Sequence, residues 1–276
     1  MKGLPAAVIG VVGWSATVLA SGVVQAEDLE KFARKLTPHK AIYALTIKKI
    51  RVGSDIAYGD GAIYYEFRET CTSWLVKHRF KLRIIRSERS ATETLFNFTS
   101  AEKKNGRRLS FSSSTSINGR VTERKSGVAT FDRVGGPGVV ILKKPKPQRV
   151  LLPKGTVLPT WHLLKIIRAG GRGDRTVWSN IFDGAGDNGR HNGVNVIILG
   201  SKSSPGELQR ERLLRRPGWV VRVTYFEPNQ EDSTPTYSLR MRLNNNGIIS
   251  GMTLDYGDFA MTGKLKAIEP LNRPSC

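Results

Sequence analysis

From about residue 40 onward, apolar and polar residues alternate along the chain with a period of two. The pattern is clearest in Phe80–Ile84 and Tyr237–Leu243, where arginine, lysine or serine fills the positions between the apolar residues. Because successive side chains of a strand point to opposite faces, these segments predict strands with one apolar and one basic face. Asn-Gly and other glycine-containing turns separate them at short intervals. The sequence therefore predicts an all-β fold, an antiparallel sheet of about 12–14 strands.

Two short segments depart from this pattern and predict helices. Glu27–Leu36 has apolar residues at helical spacing, and Pro38 prevents the helix from continuing. In the middle of the chain, Thr160–Ala169 follows a proline and is apolar on one side. We expect Thr160 to be its N-cap and Gly170-Gly171 to end it. This second helix should pack against the sheet or plug its opening.

The N-terminus has the features of a secretory signal peptide. Lys2 precedes an apolar stretch, and Val24-Gln25-Ala26 supplies the small residues that a signal peptidase requires. The alternative is an uncleaved membrane anchor, but Pro5 and several glycines interrupt the stretch, which is shorter than the roughly 20 residues of a membrane span. We therefore predict cleavage after Ala26 and a single exported domain, residues 27–276.

The chain has two cysteines, Cys71 and Cys276, the second at its last position. An exported protein leaves the reducing cytosol, and these thiols have only each other as partners within the chain. The sequence therefore predicts a Cys71–Cys276 disulfide that ties the C-terminus to a point early in the fold.

The chain is strongly basic, with 44 Lys and Arg against 23 Asp and Glu and a net charge of +21. Such a charge favours anionic partners such as nucleic acid, acidic lipid head groups or acidic proteins, and export argues against nucleic acid. A sheet with one basic, solvated face also explains much of the charge without a dedicated binding patch. A cationic protein that adsorbs to anionic lipid or lipopolysaccharide remains an alternative function.

The residues capable of chemistry form no recognisable catalytic, cofactor or metal motif. The four histidines lack zinc-ligand spacing, and the Asp183 loop lacks the ligand spacing of a calcium loop, which favours an ordinary turn there. Asp255 and Asp258 form a carboxylate pair, and His162 could act as a base. We predict a protein that is not an enzyme, with no catalytic, cofactor or metal site. A hydrolase acting on envelope glycan or lipid is the alternative.

Several short segments together resemble the cell-envelope integrity protein B family, exported proteins of alphaproteobacteria. They are His39–Tyr43, Cys71 with Trp74, Leu151–Thr156 leading to Pro159 and His162, Phe182–Gly184, Asn246-Gly247, Leu254–Phe259 and the terminal Cys276. The resemblance covers essentially the whole mature chain. It implies a periplasmic, spiral-like or partly open barrel sheet similar in shape to lipoprotein carriers. It also implies the same disulfide, which we expect to hold together the two ends of the open sheet.

The resemblance implies a function without supplying catalytic residues. It predicts a monomer that supports cell-envelope integrity and stress resistance by binding a hydrophobic ligand, a lipoprotein segment or an envelope protein partner. We expect the ligand on the concave face, beside the helix Thr160–Ala169. The candidate ligand-facing or family-motif residues are His39, Tyr43, Trp74, His162, Asp183, Asp255, Tyr256 and Asp258.

Overall fold

A computed structural model describes residues 29, 31–88, 90–186, 189–201, 212–227 and 235–276. Within these residues, fifteen strands form one sheet. The strands are β1 (His39–Ile50), β2 (Ile56–Glu69), β3 (Ser73–Arg86), β4 (Ala91–Lys103), β5 (Arg108–Ile117), β6 (Arg120–Phe131), β7 (Gly138–Lys144), β8 (Gln148–Leu152), β9 (Thr156–Val157), β10 (Thr176–Ile181), β11 (Asn192–Ser201), β12 (Gly218–Phe226), β13 (Tyr237–Asn244), β14 (Ile249–Asp255) and β15 (Phe259–Pro270). The helix α1 (Pro159–Arg172) follows β9, and Arg212–Leu214 forms a 3-10 turn.

The strand order makes the sheet close almost completely on itself. Strands β1 to β8 pair in sequence, β9 to β15 pair in sequence, and β1 pairs with β15 to join the two series. The edge strands are therefore β8 and β9, which only residues 153–155 separate along the chain. Since so short a connection holds the two edges close together, the sheet curves into a barrel-like shape. The predicted all-β, partly open barrel is confirmed.

One strand pair contradicts the predicted antiparallel sheet. Strand β9 pairs with β10 in parallel, through Thr156–Val157 and Asn180–Ile181. A parallel pair requires a crossover connection, and α1 supplies it. The remaining pairs are antiparallel.

The helix α1 lies in the interior of the barrel. Its side chains Trp161, Leu164 and Ile167 are buried in one cluster with residues of β2, β3 and β10–β13. The predicted caps of this helix are wrong. Leu158 is the N-cap residue and makes no side-chain cap, while Gly173, with φ 82°, ends the helix in the left-handed conformation. The helix therefore plugs the barrel as expected, but it begins one residue earlier and runs through Gly170-Gly171.

The two glycines inside α1 should respond in opposite ways to alanine. A Cβ atom at Gly170 would lie 2.5 Å from the ring of Trp219, whereas the nearest atom to a Cβ at Gly171 is 3.8 Å away, on Phe32. We expect Gly170→Ala to destabilise the protein by about 1–3 kcal/mol through overpacking. Gly171→Ala should stabilise it by about 1 kcal/mol because alanine favours the helix. Thermal unfolding of the two variants checks this difference, and equal melting temperatures would contradict the close packing.

The first predicted helix is helical at residues 29 and 31–33, and its earlier part lies outside the described residues. Leu29 and Leu36 are buried against the core around α1. The predicted signal peptide also lies outside the described residues, so cleavage after Ala26 stays a prediction. In the part of the chain that the structure describes, no helix combines the length and hydropathy that a membrane span needs.

The Cys71–Cys276 disulfide is present, with the two Cα atoms 5.8 Å apart. Cys71 lies in the turn between β2 and β3, and Cys276 ends the tail that follows β15. The expectation that this bond holds the two ends of the sheet together is wrong, because those ends are β8 and β9. The bond instead fixes the C-terminal tail near the middle of the sheet, where Leu271 N–H also donates to Pro38 O at 2.9 Å.

Candidate functional site

The concave face of the barrel consists of two halves that differ in burial. Around α1, inward-facing side chains such as Trp74, Val196 and Leu243 are buried. Farther along the same strands, several inward-facing apolar side chains are only half-buried, although Ile84 of β3 is buried. We call these residues the open half; they are Phe80, Leu82, Phe96, Phe98, Leu239, Met252 and Leu254.

The strand register places the open half inside the barrel. Phe80 lies directly opposite Phe96, and Leu239 directly opposite Leu254, each on the same face as buried core residues. Around α1 most inward-facing side chains are buried, whereas these seven keep part of their surface exposed. Their partial exposure indicates that this part of the interior is filled less completely. The open half is an apolar, concave surface, which is typical of sites for apolar ligands.

A buried carboxylate holds α1 at the other end of the barrel. Glu102, 2% exposed, lies near the end of β4. Its Oε2 accepts a hydrogen bond from Thr160 N–H at 2.8 Å, and its Oε1 accepts one from Trp161 N–H at 3.3 Å. These are N–H groups of the first helical turn, which have no partner within a helix. Glu102 therefore does the capping that the sequence analysis assigned to Thr160.

Burial raises the pKa of Glu102 to about 7, even though the hydrogen bonds from the helix act in the opposite direction. Glu102 belongs to none of the motifs that the sequence offers. Its position in the alternating pattern is the one feature of the sequence that points to it. Glu102 lies on the same, inward face of β4 as Ser100 and Phe98. A carboxylate at such a position requires partners inside the barrel.

Four of the predicted site residues lie in the filled part of the interior. His39, Tyr43, Trp74 and His162 are each no more than 5% exposed. The Tyr43 hydroxyl donates to Ile249 O at 2.7 Å, and His39 Nδ1 lies 2.7 Å from Thr37 O. These contacts bind one strand or segment to another, and burial keeps the residues from an external ligand.

His162 lies on α1, where its surroundings disfavour the charged form of the imidazole. Burial lowers the pKa of His162 to about 3, and the nearby Lys165 acts in the same direction. Its Nε2 atom has no hydrogen-bond partner among the described residues. The imidazole is therefore neutral at physiological pH and belongs to the core around the helix.

Three other predicted residues lie at the end of β14 and in the turn that leads to β15, at the end of the barrel away from α1. The Asp255 carboxylate accepts from Gly257 N–H at 3.1 Å and lies 3.4 Å from Arg51 Nη2. Asp258 is exposed, and Tyr256 stacks on Phe259 with ring centroids 5.1 Å apart. His162 is buried with the helix at the opposite end. These three residues, which the alternative hydrolase offered as candidates, therefore do not form one site.

Asp183 closes the turn that follows β10. Its Oδ1 accepts from Ala185 N–H at 2.9 Å and from Gly186 N–H at 3.3 Å, as in an ordinary Asp-Gly turn. Burial raises the pKa of Asp183, although these hydrogen bonds and the nearby Lys125 oppose the shift. Lys125 Nζ, on β6, lies 3.4 Å from the carbonyl oxygens of Ala185 and Gly186 and so holds this turn against the inner face.

Two tyrosines that the sequence analysis missed lie beside the open half. Tyr225 and Tyr237 face each other across β12 and β13, and their rings stack with centroids 4.4 Å apart. Burial raises the pKa of Tyr225 to about 12 and raises that of Tyr237 as well, with the Asp183 carboxylate adding to both shifts. Both phenols are therefore neutral, and they offer hydroxyl groups next to an apolar surface.

A second concave feature lies on the outside of the barrel, where its two edges meet. This groove has a volume of about 1400 Å³. Its lining includes Val139 and Leu151 from β7 and β8, and Trp178 and Phe226 from β10 and β12. Leu151 and Trp178 are 67% and 59% exposed, so the apolar surface of this protein is not confined to its interior.

Comparison with known proteins places this arrangement among related folds. Residues 30–272 match a family model described as EipB-like. The chain is 30% identical over 241 residues to the cell envelope integrity protein EipB of Brucella abortus (strain 2308), which covers 86% of this chain and 85% of that protein. A crystal structure of a beta-barrel-like protein of the domain of unknown function DUF1849 from Brucella abortus is 29% identical, with a TM-score of 0.79. That similarity covers 86% of this chain and 99% of the other.

Proposed function

Because this chain belongs to the EipB-like family, we propose that it is a periplasmic binding protein that supports cell-envelope integrity without catalysing a reaction. The name of its Brucella relative supports the envelope role. The disulfide is consistent with an oxidising compartment, where such bonds persist. The predicted signal peptide agrees with the same location.

The observation that carries the proposal is the open half of the concave face. It combines aromatic and aliphatic side chains on two facing walls, β3 with β4 and β13 with β14. A ligand that extends into the barrel from the end where β3 leads into β4 would meet these apolar side chains and His78, whose ring lies 6.2 Å from that of Phe96, before it reached α1. The ligand that fits is an acyl chain, either of a lipid or of a lipoprotein. The hydroxyl groups of Tyr225 and Tyr237 lie where they can bind the polar end of such a molecule.

A charge placed in the open half should weaken binding of an apolar probe. We expect Leu82→Glu to weaken binding of the uncharged dye N-phenyl-1-naphthylamine by roughly tenfold or more, because burying the carboxylate beside the dye costs at least 1.4 kcal/mol. Leu95→Glu is the matched control, since Leu95 lies on the neighbouring strand and points outward, opposite Lys81. Dye fluorescence measures both affinities. Equal affinities for the two variants and the wild type would contradict the proposal.

Protein isolated from its own periplasm should carry the natural ligand. We expect native mass spectrometry to detect a bound apolar molecule on the wild type and to detect none on Leu82→Glu. Organic extraction then identifies its chemical class. If neither protein carries a molecule, the acyl-chain ligand is wrong, and a protein partner becomes the function to test.

A further inference from the structure

The outer face of strands β10–β13 combines basic and apolar side chains. The residues of these four strands include three arginines, Arg222, Arg240 and Arg242, and no aspartate or glutamate. Among the described residues that flank these strands, Asp174 precedes β10, Asp183 follows it, Glu227 follows β12 and Asp255 ends β14. Some cations on other strands have carboxylate partners, such as Lys81 with Glu93 at 2.9 Å. These four strands therefore carry positive charge and contribute no carboxylate of their own.

Two of the arginines lie directly opposite each other. Arg222 on β12 and Arg240 on β13 are cross-strand partners, and both are exposed. Like charges at directly opposed positions destabilise a sheet. An arrangement that costs stability and is offset by no carboxylate of the same strands points to an anionic partner outside the protein.

Exposed apolar side chains lie next to these arginines on the same face. Ile197 is the cross-strand partner of Arg222 and is 38% exposed. Leu199 and Trp178 are 42% and 59% exposed, and the Trp178 ring lies 6.1 Å from that of Phe226. Tryptophan is favoured at the boundary between water and lipid, and basic residues are attracted to anionic head groups. A phospholipid surface presents both the negative charge and the apolar layer that this composition complements.

We propose that the outer face of β10–β13, with Arg222, Arg240 and Trp178 at its centre, docks on an anionic phospholipid membrane. The arginines contact lipid phosphates, and Trp178, Ile197 and Leu199 enter the interfacial layer. This surface lies on the opposite side of the sheet from the open half, so docking leaves the interior accessible. The proposal is thus independent of the interior ligand and adds a location at the membrane to the proposed function.

Vesicle binding with two charge-matched variants tests this proposal. The probes are vesicles of phosphatidylcholine alone and vesicles that also contain phosphatidylglycerol, used with the mature protein in a co-sedimentation assay. We expect the wild type to bind the anionic vesicles only, and the double variant Arg222→Gln, Arg240→Gln to bind them roughly tenfold more weakly. The control is Arg79→Gln, Arg83→Gln on the outer face of β3, which removes the same charge where Asp60 and Glu93 lie opposite Arg83. This control should bind nearly as well as the wild type.

Two results would overturn the proposal. Equal losses in the two double variants would mean that the net charge of +21, and not this face, drives adsorption. A wild type that does not bind anionic vesicles would refute docking altogether. A second readout locates the contact: brominated lipids should quench part of the tryptophan fluorescence in the wild type, and Trp178→Phe should remove that part. Unchanged dye binding by Arg222→Gln, Arg240→Gln separates this surface from the interior site.

Discussion

Breaking the Cys71–Cys276 disulfide should lower the melting temperature by roughly 10–20 °C while leaving the protein folded. The two cysteines are 205 residues apart in sequence, so the bond removes much of the entropy of the unfolded chain. Loop-closure entropy for a ring of this size corresponds to about 5 kcal/mol as an upper value. The strands β15, β1 and β2 remain paired without the bond, and three buried clusters remain in the core. Folding should therefore survive the loss.

The variant Cys71→Ser, Cys276→Ser tests this prediction against the oxidised wild type. Thermal unfolding without reductant measures the stability, and alkylation of the unreduced wild type should give no mass change. We also expect nonspecific proteases to remove the C-terminal tail faster in the variant, because the tail then depends on contacts such as Leu271 N–H to Pro38 O. An unchanged melting temperature, or alkylation of both thiols in the periplasmic protein, would contradict the role assigned to the bond.

Glu102→Ala should lower the melting temperature by roughly 6–12 °C. The substitution removes the acceptor for the N–H groups of Thr160 and Trp161 inside the barrel. Each buried donor left without a partner costs about 1–3 kcal/mol, which gives a loss of about 3 kcal/mol or more. A change within the error of the unfolding measurement would mean that α1 does not depend on this cap.

The same carboxylate predicts a specific dependence of stability on pH. The pKa of Glu102 is about 7 in the folded protein and 4.5 when exposed, so the folded state binds the proton more tightly. The contribution of this group is therefore fully present below about pH 4.5 and is lost as the pH rises to about 7, by about 3 kcal/mol. Glu102→Gln cannot titrate and should lack this loss. The difference between the two pH profiles, from chemical unfolding, isolates Glu102 from other titrating groups, and parallel profiles would contradict its assignment.

Local sequence pattern predicted the elements of this fold better than their arrangement. The alternation in Phe80–Ile84 and Tyr237–Leu243 predicts strands because burial on one face imposes a period of two. It could not predict β9, which has only two residues and therefore no period. The local sequence around α1 could not predict its cap either, because the acceptor, Glu102, lies in β4, far away along the chain. The cysteines predicted the disulfide, but its position in mid-sheet depends on strand order, which pairs β1 with β15.

Local sequence pattern was also insufficient to predict the candidate site. Alternation places Trp74 and Phe80 on one face of β3, but it does not indicate which of them the helix covers. The family resemblance directed attention to motif residues such as His39 and His162, and the structure buries these in the core. The open half became visible only from the half-burial of Phe80, Phe96 and their neighbours, because burial depends on what fills the barrel.

Photo-crosslinking at two adjacent positions of β4 tests the central claim, that the open half binds an apolar ligand in the envelope. A photoreactive amino acid is placed at Phe96, which faces the interior, or at Leu95, which faces outward, and cells are irradiated. We predict that position 96 captures an acyl-bearing molecule, identified by mass spectrometry, and that position 95 does not. Capture at both positions alike, or at neither, would contradict the claim.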